Sequence, residues 1–266
     1  MSISSEDMRI VVATHKPYRM PDDPVYLPVQ VGKSLHPELD LGFATDDDGE
    51  NISRRNGEFS ELSALYWLWK NVDASYKGLV HYRRHFKSPR TQGKDRFGKI
   101  ATGEDFRTAF THADIIVPKQ RNYYIETIYD HYAHTFSGEQ LDELRDVLVK
   151  MEPAYVPAFD ELMHGKKAHM FNMFVMSEER FDEYCSWLFP LLFELTERID
   201  PQKYGDAFQA RYPGRVSERM LDVWINTNGY SFVELPVISP EPVNWFRKIM
   251  GFLAAKFGIK KYDKSF

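Results

Sequence analysis

Two arginines and two histidines within five residues form the densest chemical cluster in this sequence. His81, Arg83, Arg84 and His85 directly follow the apolar run Gly78-Leu79-Val80. A guanidinium is a planar fork of donors that keeps its charge, so such a cluster suits the oxygens of a diphosphate. The alternative is a solvated basic loop with arginines paired to surface carboxylates. Because open α/β sheets bind ligands beyond the carboxyl ends of their strands, we expect a ligand site here.

A second cluster lies between residues 122 and 135, on a helix predicted from about Ile125. Tyr124, His131, Tyr132 and His134 could bind and stack on an acceptor sugar. His131 and His134 also have the spacing of a metal pair, but no third ligand is evident in the sequence, and this pattern alone is a weak zinc signal. A half-exposed polar helix remains the alternative.

Polar residues inside two apolar segments are further candidates. His169 and Asn172 lie in a predicted strand over 168–176, where buried polar groups need partners, either structural or in a site. In a helix predicted from Val216, Glu218 or Asp222 could be the base that deprotonates an acceptor hydroxyl. Either carboxylate could instead pair with an arginine.

The first predicted strand, over residues 9–15, ends in polar side chains. Thr14, His15 and Lys16 lie at its carboxyl end, where a nucleotide-binding fold holds its base or ribose. A plain exit from strand to loop is the alternative.

An acidic run offers a candidate metal site. Asp46 and Asp48 follow an apolar stretch, and paired carboxylates of this kind hold Mg²⁺ or Mn²⁺ against a diphosphate. The run precedes the main predicted helix and is followed by Gly49, which also indicates an ordinary turn. The end of the strand near residue 80, where such a motif is expected, carries cations instead. We therefore expect no metal cofactor.

The main predicted helix starts near Asn56, which we expect to cap it, and carries an apolar stripe from Phe59 to Trp69. Glu61 lies next to that stripe. Its carboxylate is either a solvated residue at the edge of the buried face or is aimed into a pocket.

Several long strings resemble one bacterial family of surface-polysaccharide glycosyltransferases. They include ELSALYWLWKN, GLVHYRRHF, RNYYIETIYDHYAHT, AHMFNMFVM and SERMLDVW, and the similarity runs from about Arg9 to about Lys261. The family, DUF4422-like, was long described only as a domain of unknown function, and it occurs in capsule, exopolysaccharide and O-antigen loci. The resemblance implies a single Rossmann-like α/β domain of the GT-A class, with a mixed, mainly parallel sheet. It also implies transfer of a sugar from a nucleotide donor to a lipid-linked glycan.

With this resemblance, the candidate residues take expected roles. We expect the donor to be a UDP-sugar carrying galactose or galactofuranose. Catalysis is expected from Arg83, Arg84 and His81, which would stabilise the leaving diphosphate, and from Glu218. The acceptor is expected at Tyr124, His131, Tyr132 and His134. The residues expected to bind the donor are Thr14, His15, Lys16, Asn51, Ser53, Glu61, His169 and Asn172.

Composition limits the other function classes. The chain has 266 residues, 43% of them apolar, and a net charge of −5, which argues against a nucleic-acid partner. Cys185 is its one cysteine, so no internal disulfide forms and a reducing cytoplasm is expected. No membrane span is evident. A carbohydrate-binding module without catalysis, or a metal-dependent hydrolase using His131 and His134, remains an alternative.

The last 23 residues differ in charge from the rest. We divide the chain into a catalytic domain, 1–243, and a tail, 244–266, with six basic residues against one acidic residue. Such a basic amphipathic helix is suited to peripheral contact with the inner face of the plasma membrane, close to a lipid-linked acceptor. Packing of this helix back onto the domain is the alternative.

Overall fold

A computed structural model describes residues 7–90 and 95–241 of the chain. The tail at 244–266, with its predicted membrane contact, lies outside the described residues. Within them, no helix is long and apolar enough to cross a membrane. The predicted α/β fold class is confirmed.

Short strands and longer helices alternate along most of the chain. The strands are β1 (Met8–Thr14), β2 (Tyr26–Gln30), β3 (Ala44–Thr45), β4 (Tyr76–His81), β5 (His85–Phe86), β6 (Ile115–Pro118), β7 (Arg121–Asn122), β8 (Lys167–Ala168), β9 (Phe174–Ser177), β10 (Val233–Leu235) and β11 (Val237–Ile238). The helices are α1 (Asn56–Phe59), α2 (Leu62–Asn71), α3 (Gly103–Phe110), α4 (Ile128–Thr135), α5 (Glu139–Met151), α6 (Val156–His164), α7 (Glu178–Arg198), α8 (Ala207–Ala210) and α9 (Tyr212–Asn228).

The largest sheet of the described region has the order β10-β6-β9-β4-β1-β2-β3. All neighbours in it pair in parallel except β9, which runs antiparallel to both β4 and β6. The carboxyl ends of β1, β4, β6 and β10 therefore share one edge of the sheet with the amino end of β9. This edge gathers the loops on which most predicted site residues lie.

Both faces of the sheet are buried. Alternate residues of each strand point to opposite sides, so each strand contributes side chains to two cores. On β1, Val11 and Ala13 pack in the larger core, with α2, α7 and α9. Ile10 and Val12 pack in the smaller core, which includes Phe106 of α3. The sheet is thus a rigid platform for the loops at its edge.

The approach of β9 to β4 depends on a glycine. A Cβ atom on Gly78 would lie 2.6 Å from the carbonyl oxygen of Phe174, closer than such atoms approach each other. Gly78 thereby allows the one antiparallel strand to enter the middle of a parallel sheet.

The predicted main helix is wrong in its first turns. It is divided at Ser60, whose φ of 52° interrupts it, into α1 and α2. Asn56 does not cap it; its amide instead donates to the carbonyl of Ser60 at 2.7 Å and to Ser63 Oγ at 2.9 Å.

Two other predicted helices have different bounds. The helix predicted from Ile125 begins at Ile128, capped by Thr127. The helix predicted from Val216 begins four residues earlier, at Tyr212. Pro190 lies within α7, which runs without a break through that position.

Candidate active site

The candidate site lies at the sheet edge where β4 ends and β9 begins. The backbone reverses directly after β4, because Arg84 N–H donates to the carbonyl of His81 at 3.0 Å. His81 Nε2 donates to the carbonyl oxygen of Phe171, 2.5 Å away, and so ties this turn to the segment before β9. The Arg84 guanidinium lies 4.5 Å from the centroid of the Phe171 ring. These contacts fix the position of one cation of the predicted cluster.

The two arginines of the cluster diverge. Arg83 forms an ion pair with Glu241 at 3.0 Å, and both side chains are 48% exposed. Arg84 points the other way, into the cleft, where it interacts electrostatically with Glu218 and Glu61. The expectation that both arginines bind one diphosphate is therefore corrected: Arg84 alone faces the cleft.

The second imidazole of the cluster is part of the core. His85 is fully buried on β5, which pairs with β11. Burial lowers its pKa to about 4, so the ring is neutral at physiological pH. His85 stabilises the fold and offers no charge to a ligand.

Opposite Arg84, a hydrogen-bonded network holds the second predicted carboxylate. The Asn172 amide donates to Glu61 Oε1 at 2.6 Å and to the carbonyl of Gly214 at 2.8 Å. Its oxygen accepts from Ser217 Oγ at 2.9 Å. Glu61 is therefore aimed into the site and is not a solvated edge residue. Because the amide of Asn172 is fully engaged, this residue positions Glu61 and is corrected as a direct sugar ligand.

Backbone strain accumulates around this network. Phe171 and Asn172 have φ angles of 87° and 48°, and Ser60, next to Glu61, has a φ of 52°. Non-glycine residues adopt such angles at a cost of order 1–3 kcal/mol each and do so most often at functional sites. The strain places the Phe171 carbonyl toward His81 and the Asn172 amide toward Glu61.

Glu218, on α9, completes the cleft and is the better candidate for a base. Burial raises the pKa of its carboxyl group above the ordinary value, and Glu61 acts in the same direction. Arg219, Arg84 and His81 oppose the shift. The cleft thus holds two carboxylates, Glu61 and Glu218, close to Arg84 and Arg219.

The other candidate base is a structural residue. Asp222 accepts hydrogen bonds from the backbone N–H of His169 at 2.7 Å and from His169 Nδ1. His169 Nε2 lies 3.1 Å from Glu234 Oε1. Burial lowers the pKa of His169, but the bonds to Asp222 and Glu234 outweigh it and raise the pKa. His169 is 1% exposed, so it links α9 to β10 and is corrected as a donor-sugar ligand.

Four arginines near the cleft were not predicted as site residues. Arg121, Arg211, Arg215 and Arg219 act electrostatically on groups of the cleft and its surroundings: Arg121 on Arg84, Arg211 on His15, and Arg215 and Arg219 on Tyr132. Arg215 and Arg219 lie one turn apart on α9, and Arg211 lies at the same spacing just before the helix, a signal present in the sequence. They make the cleft cationic despite the negative charge of the whole chain.

At the end of β1, the predicted donor residues separate. Thr14 is buried, and its hydroxyl donates to the Lys16 carbonyl at 2.8 Å, so it shapes the turn and is corrected as a ligand. His15 and Lys16 are exposed and lie against the Tyr82 ring, at 5.4 Å from its centroid in each case. Burial, Lys16 and Arg211 lower the pKa of His15. These two side chains remain available to a ligand.

The acidic run is part of a rigid loop. Asp46 is fully buried and accepts hydrogen bonds from the backbone N–H groups of Gly32 and Lys33 and from the hydroxyls of Ser53 and Ser63. Ser53 is also fully buried. Both oxygens of Asp46 are thus engaged in the fold, which weighs against the metal alternative at this run, and Ser53, fully buried and bonded to Asp46, is corrected as a donor ligand. In the described part of the chain, no three His, Cys, Asp or Glu residues are grouped as a metal site.

Asn51 and Asp48 lie in the turn that follows Asp46. Asn51 closes the turn, because its amide donates to the carbonyls of Asp47 and Gly49 at 2.9 Å each. Its expected role in donor binding stays a prediction. Asp48 is exposed, and its Oδ1 accepts from the Gly49 N–H.

The predicted acceptor residues on and before α4 have different environments. Glu126 accepts from His131 Nδ1 at 3.1 Å and from His134 Nδ1 at 3.2 Å, one imidazole for each oxygen. Tyr124 is 76% exposed at a loop tip, and Tyr132 is fully buried. Tyr132 is therefore corrected as a direct acceptor contact, whereas Tyr124, His131 and His134 remain reachable.

Two comparisons relate this geometry to known proteins. The family model described as "Domain of unknown function (DUF4422)" matches residues 9–229. The chain is also similar to the apo structure of WbbM, a bifunctional glycosyltransferase, with a TM-score of 0.78 and 27% sequence identity. The match covers 88% of this chain and 45% of the WbbM chain, so this chain spans less than half the length of that protein. No curated protein matches the sequence.

Proposed function

The chain belongs to the DUF4422 family, and from that premise we propose that it is a glycosyltransferase that moves a sugar from a nucleotide-sugar donor to a glycan acceptor. The likeness to WbbM, over 88% of this chain, supports sugar transfer as the reaction class. The observation that carries the proposal is the position of Arg84, held over Phe171 and facing Glu218 and Glu61 at the end of β4.

Arg84 is placed to stabilise the leaving group. When the bond between the sugar C1 and the diphosphate oxygen breaks, the electron pair and the negative charge remain on the diphosphate. A fixed guanidinium stabilises that charge most in the transition state, which lowers the barrier. His81 contributes by fixing the turn that carries Arg84, through its hydrogen bond to Phe171.

Glu218 is the proposed base. As the acceptor oxygen forms its bond to C1, its proton passes to the Glu218 carboxylate, which is restored when the proton leaves to solvent. A carboxyl group with a raised pKa accepts a proton more readily than an ordinary one. Glu61 lies beside it, held by Asn172, and is placed to accept hydrogen bonds from the donor sugar.

Uridine diphosphate as the donor nucleotide, galactose or galactofuranose as the sugar, and a lipid-linked surface glycan as the acceptor are finer parts of the same proposal. So are metal independence and a cytoplasmic enzyme at the membrane surface. The cations at the end of β4 and the engaged oxygens of Asp46 support metal independence. The exposed pair His15 and Lys16, next to Tyr82, supports a nucleotide at the end of β1.

The test compares the two adjacent arginines. Binding of UDP, GDP, CDP and ADP is measured by calorimetry, with EDTA and with Mn²⁺, on the wild type, Arg84→Met and Arg83→Met. We expect metal-independent binding of UDP that weakens about tenfold or more in Arg84→Met, since a bond to a charged group is lost. Arg83→Met should weaken it far less, because Arg83 faces Glu241.

Two outcomes would contradict the proposal. Binding that requires Mn²⁺ and survives Arg84→Met would place the diphosphate on a metal. Failure of all four nucleotides to bind would favour a carbohydrate-binding module without catalysis. Incubation of the wild type with UDP-galactose and UDP-galactofuranose, followed by measurement of released UDP, then tests the donor sugar.

A further inference from the structure

A second cationic group lies beside the cleft, between α4, α8 and α9. It consists of Arg215 and Arg219, one turn apart on α9, and the aromatic rings against which they lie. We call this region the arginine pocket. The Arg215 guanidinium lies 4.1 Å from the ring centroid of Phe136 and 4.2 Å from that of Phe208. The Arg219 guanidinium lies 4.9 Å from the ring centroid of Tyr132. Aromatic rings therefore hold both cations in place.

Buried hydrogen-bond donors in this pocket lack acceptors. In the described part of the chain, no acceptor meets Arg215 Nη1, Arg219 Nε, Gln140 Nε2 or the Tyr204 hydroxyl. All four groups surround Tyr132, whose hydroxyl donates to Gln140 Oε1 at 2.5 Å. Arg219 is only 4% exposed. A buried donor without an acceptor is unfavourable, and a buried charged donor is more so, so the pocket suits a group that supplies acceptors.

The charge of the pocket specifies an anion. Arg215 has no carboxylate partner among the described ion pairs; one of its nitrogens donates to the Phe208 carbonyl. Burial lowers its pKa to about 10, and the neighbouring Arg211 and Arg219 act in the same direction. The group stays charged at neutral pH. Arg219 Nη1 donates to the Arg215 carbonyl oxygen at 2.6 Å and pairs with Glu218 at 3.3 Å, whereas its Nε meets no acceptor among the described residues.

Glu218 is close to both Arg84 and the arginine pocket. It follows Arg215 by three residues on α9, pairs with Arg219 at 3.3 Å, and interacts electrostatically with Arg84 and Arg215. In the proposed reaction the accepting hydroxyl must reach Glu218 to lose its proton. A group bound in the pocket would therefore lie close to the accepting hydroxyl.

We infer that the arginine pocket is an acceptor subsite for an anionic group, a carboxylate or a phosphate, carried close to the accepting hydroxyl. This inference rests on the proposed function and names the substrate class of the same site. The acceptor is then an acidic glycan or a phosphorylated one. Two fork-shaped guanidiniums suit the paired oxygens of either group.

The test titrates the full chain with inorganic phosphate, D-glucuronate and neutral D-glucose at matched ionic strength, with and without saturating UDP. The wild type, Arg215→Met and Arg180→Met are compared by calorimetry. Arg180 is a matched control, since it also lies over an aromatic ring, Tyr230 at 4.2 Å, but has its own acceptor, Glu183 at 2.7 Å. Methionine keeps the apolar contacts with the two phenylalanines, so Arg215→Met should fold.

We expect one of the two anions, but not glucose, to bind equally well with and without UDP. Its affinity should fall about tenfold or more in Arg215→Met and stay unchanged in Arg180→Met. Tighter binding of glucuronate identifies an acidic sugar, and tighter binding of phosphate identifies a phosphorylated acceptor.

Three outcomes would overturn the inference: no anion binds the wild type, Arg215→Met binds as the wild type does, or UDP displaces the anion, which would assign the pocket to the donor. If none of UDP, GDP, CDP and ADP binds, the proposed function fails. The titrations without UDP then still show whether Arg215 binds an anion, and the acceptor assignment falls with the function.

Discussion

The imidazole of His81 donates a hydrogen bond to the backbone carbonyl of Phe171, 2.5 Å away. This bond joins the end of a parallel strand, β4, to the left-handed turn that precedes the antiparallel strand β9. The same turn carries the ring under Arg84 and the amide that holds Glu61. The strained turn is therefore the element through which the two strands arrange the cleft.

Substitutions of Asn172 should separate its backbone role from its side-chain role. Asn172→Ala loses three hydrogen bonds and keeps a left-handed backbone, whereas Asn172→Gly loses the bonds but adopts that backbone without strain. We expect both to be less stable than the wild type and the glycine variant to be more stable than the alanine variant by about 1 kcal/mol. Urea unfolding measures this. An alanine variant as stable as the glycine variant would show that the strain at 172 is not stored in the native state.

Asp46 and Asp48 should respond very differently to the same substitution. Asp46→Asn leaves one acceptor oxygen for four donors, so we expect a loss of at least about 2 kcal/mol in the free energy of unfolding. Asp48→Asn, in the exposed turn, should change it by no more than about 0.5 kcal/mol. Thermal or urea unfolding of both variants gives the comparison. If the wild type binds nucleotide in a Mn²⁺-dependent way and Asp48→Asn loses this binding while it stays folded, the acidic run would be supported as a metal site.

Glu218→Gln should abolish catalysis without abolishing donor binding. Removal of a general base costs about 10²–10⁴-fold in kcat, and an amide of the same shape keeps the packing of α9. In the wild type, kcat should rise with pH as Glu218 loses its proton, above the ordinary pKa of a glutamate, and the variant should lack this rise. The control is Asp222→Asn, the other carboxylate considered as a base. This substitution should lower the free energy of unfolding, because Asp222 binds His169, and should leave the pH dependence of kcat unchanged. If Glu218→Gln keeps near-normal kcat and the same pH profile, Glu218 is not the base.

Stability should fall with rising pH through His169. The hydrogen bonds to Asp222 and Glu234 favour the protonated ring and raise its folded pKa. The contribution of the protonated ring to the free energy of unfolding is complete below the pKa of the unfolded state, about 6.5. It is lost as the pH rises through the higher pKa of the folded state. The difference in unfolding free energy between wild type and His169→Gln should therefore shrink as the pH rises above 6.5. The exposed His36, substituted in the same way, is the control. A difference that grows with pH would contradict this sign.

The sequence determined the strand that leads into the site. The apolar run at 78–80 lies in β4, and the cations and histidines after it lie at the sheet edge, because a short apolar segment followed by charges has few other solutions in an α/β fold. The fold class followed from the same patterning and from the family resemblance. Glu218 was among the predicted catalytic residues, but its position beside that edge was not predicted.

The tertiary structure alone decided which polar groups are free to act. Sequence proximity suggested that Arg83 and Arg84 act together, but the turn after β4 directs one to Glu241 and the other to the cleft. His169 and Asn172 found buried partners on α9, more than 40 residues away along the chain. Such long-range pairs leave no local pattern.

The arginine pocket also depends on contacts that the sequence does not reveal. Arg215 and Arg219 have visible helical spacing, but an amphipathic helix can present such residues to water or to a pocket. The aromatic rings from α4 and α8 that enclose them come from elsewhere in the chain. The sequence thus determined the elements and the chemical groups available. Packing decided which of those groups are buried with partners, and which face a ligand, because burial depends on contacts between segments distant in the chain.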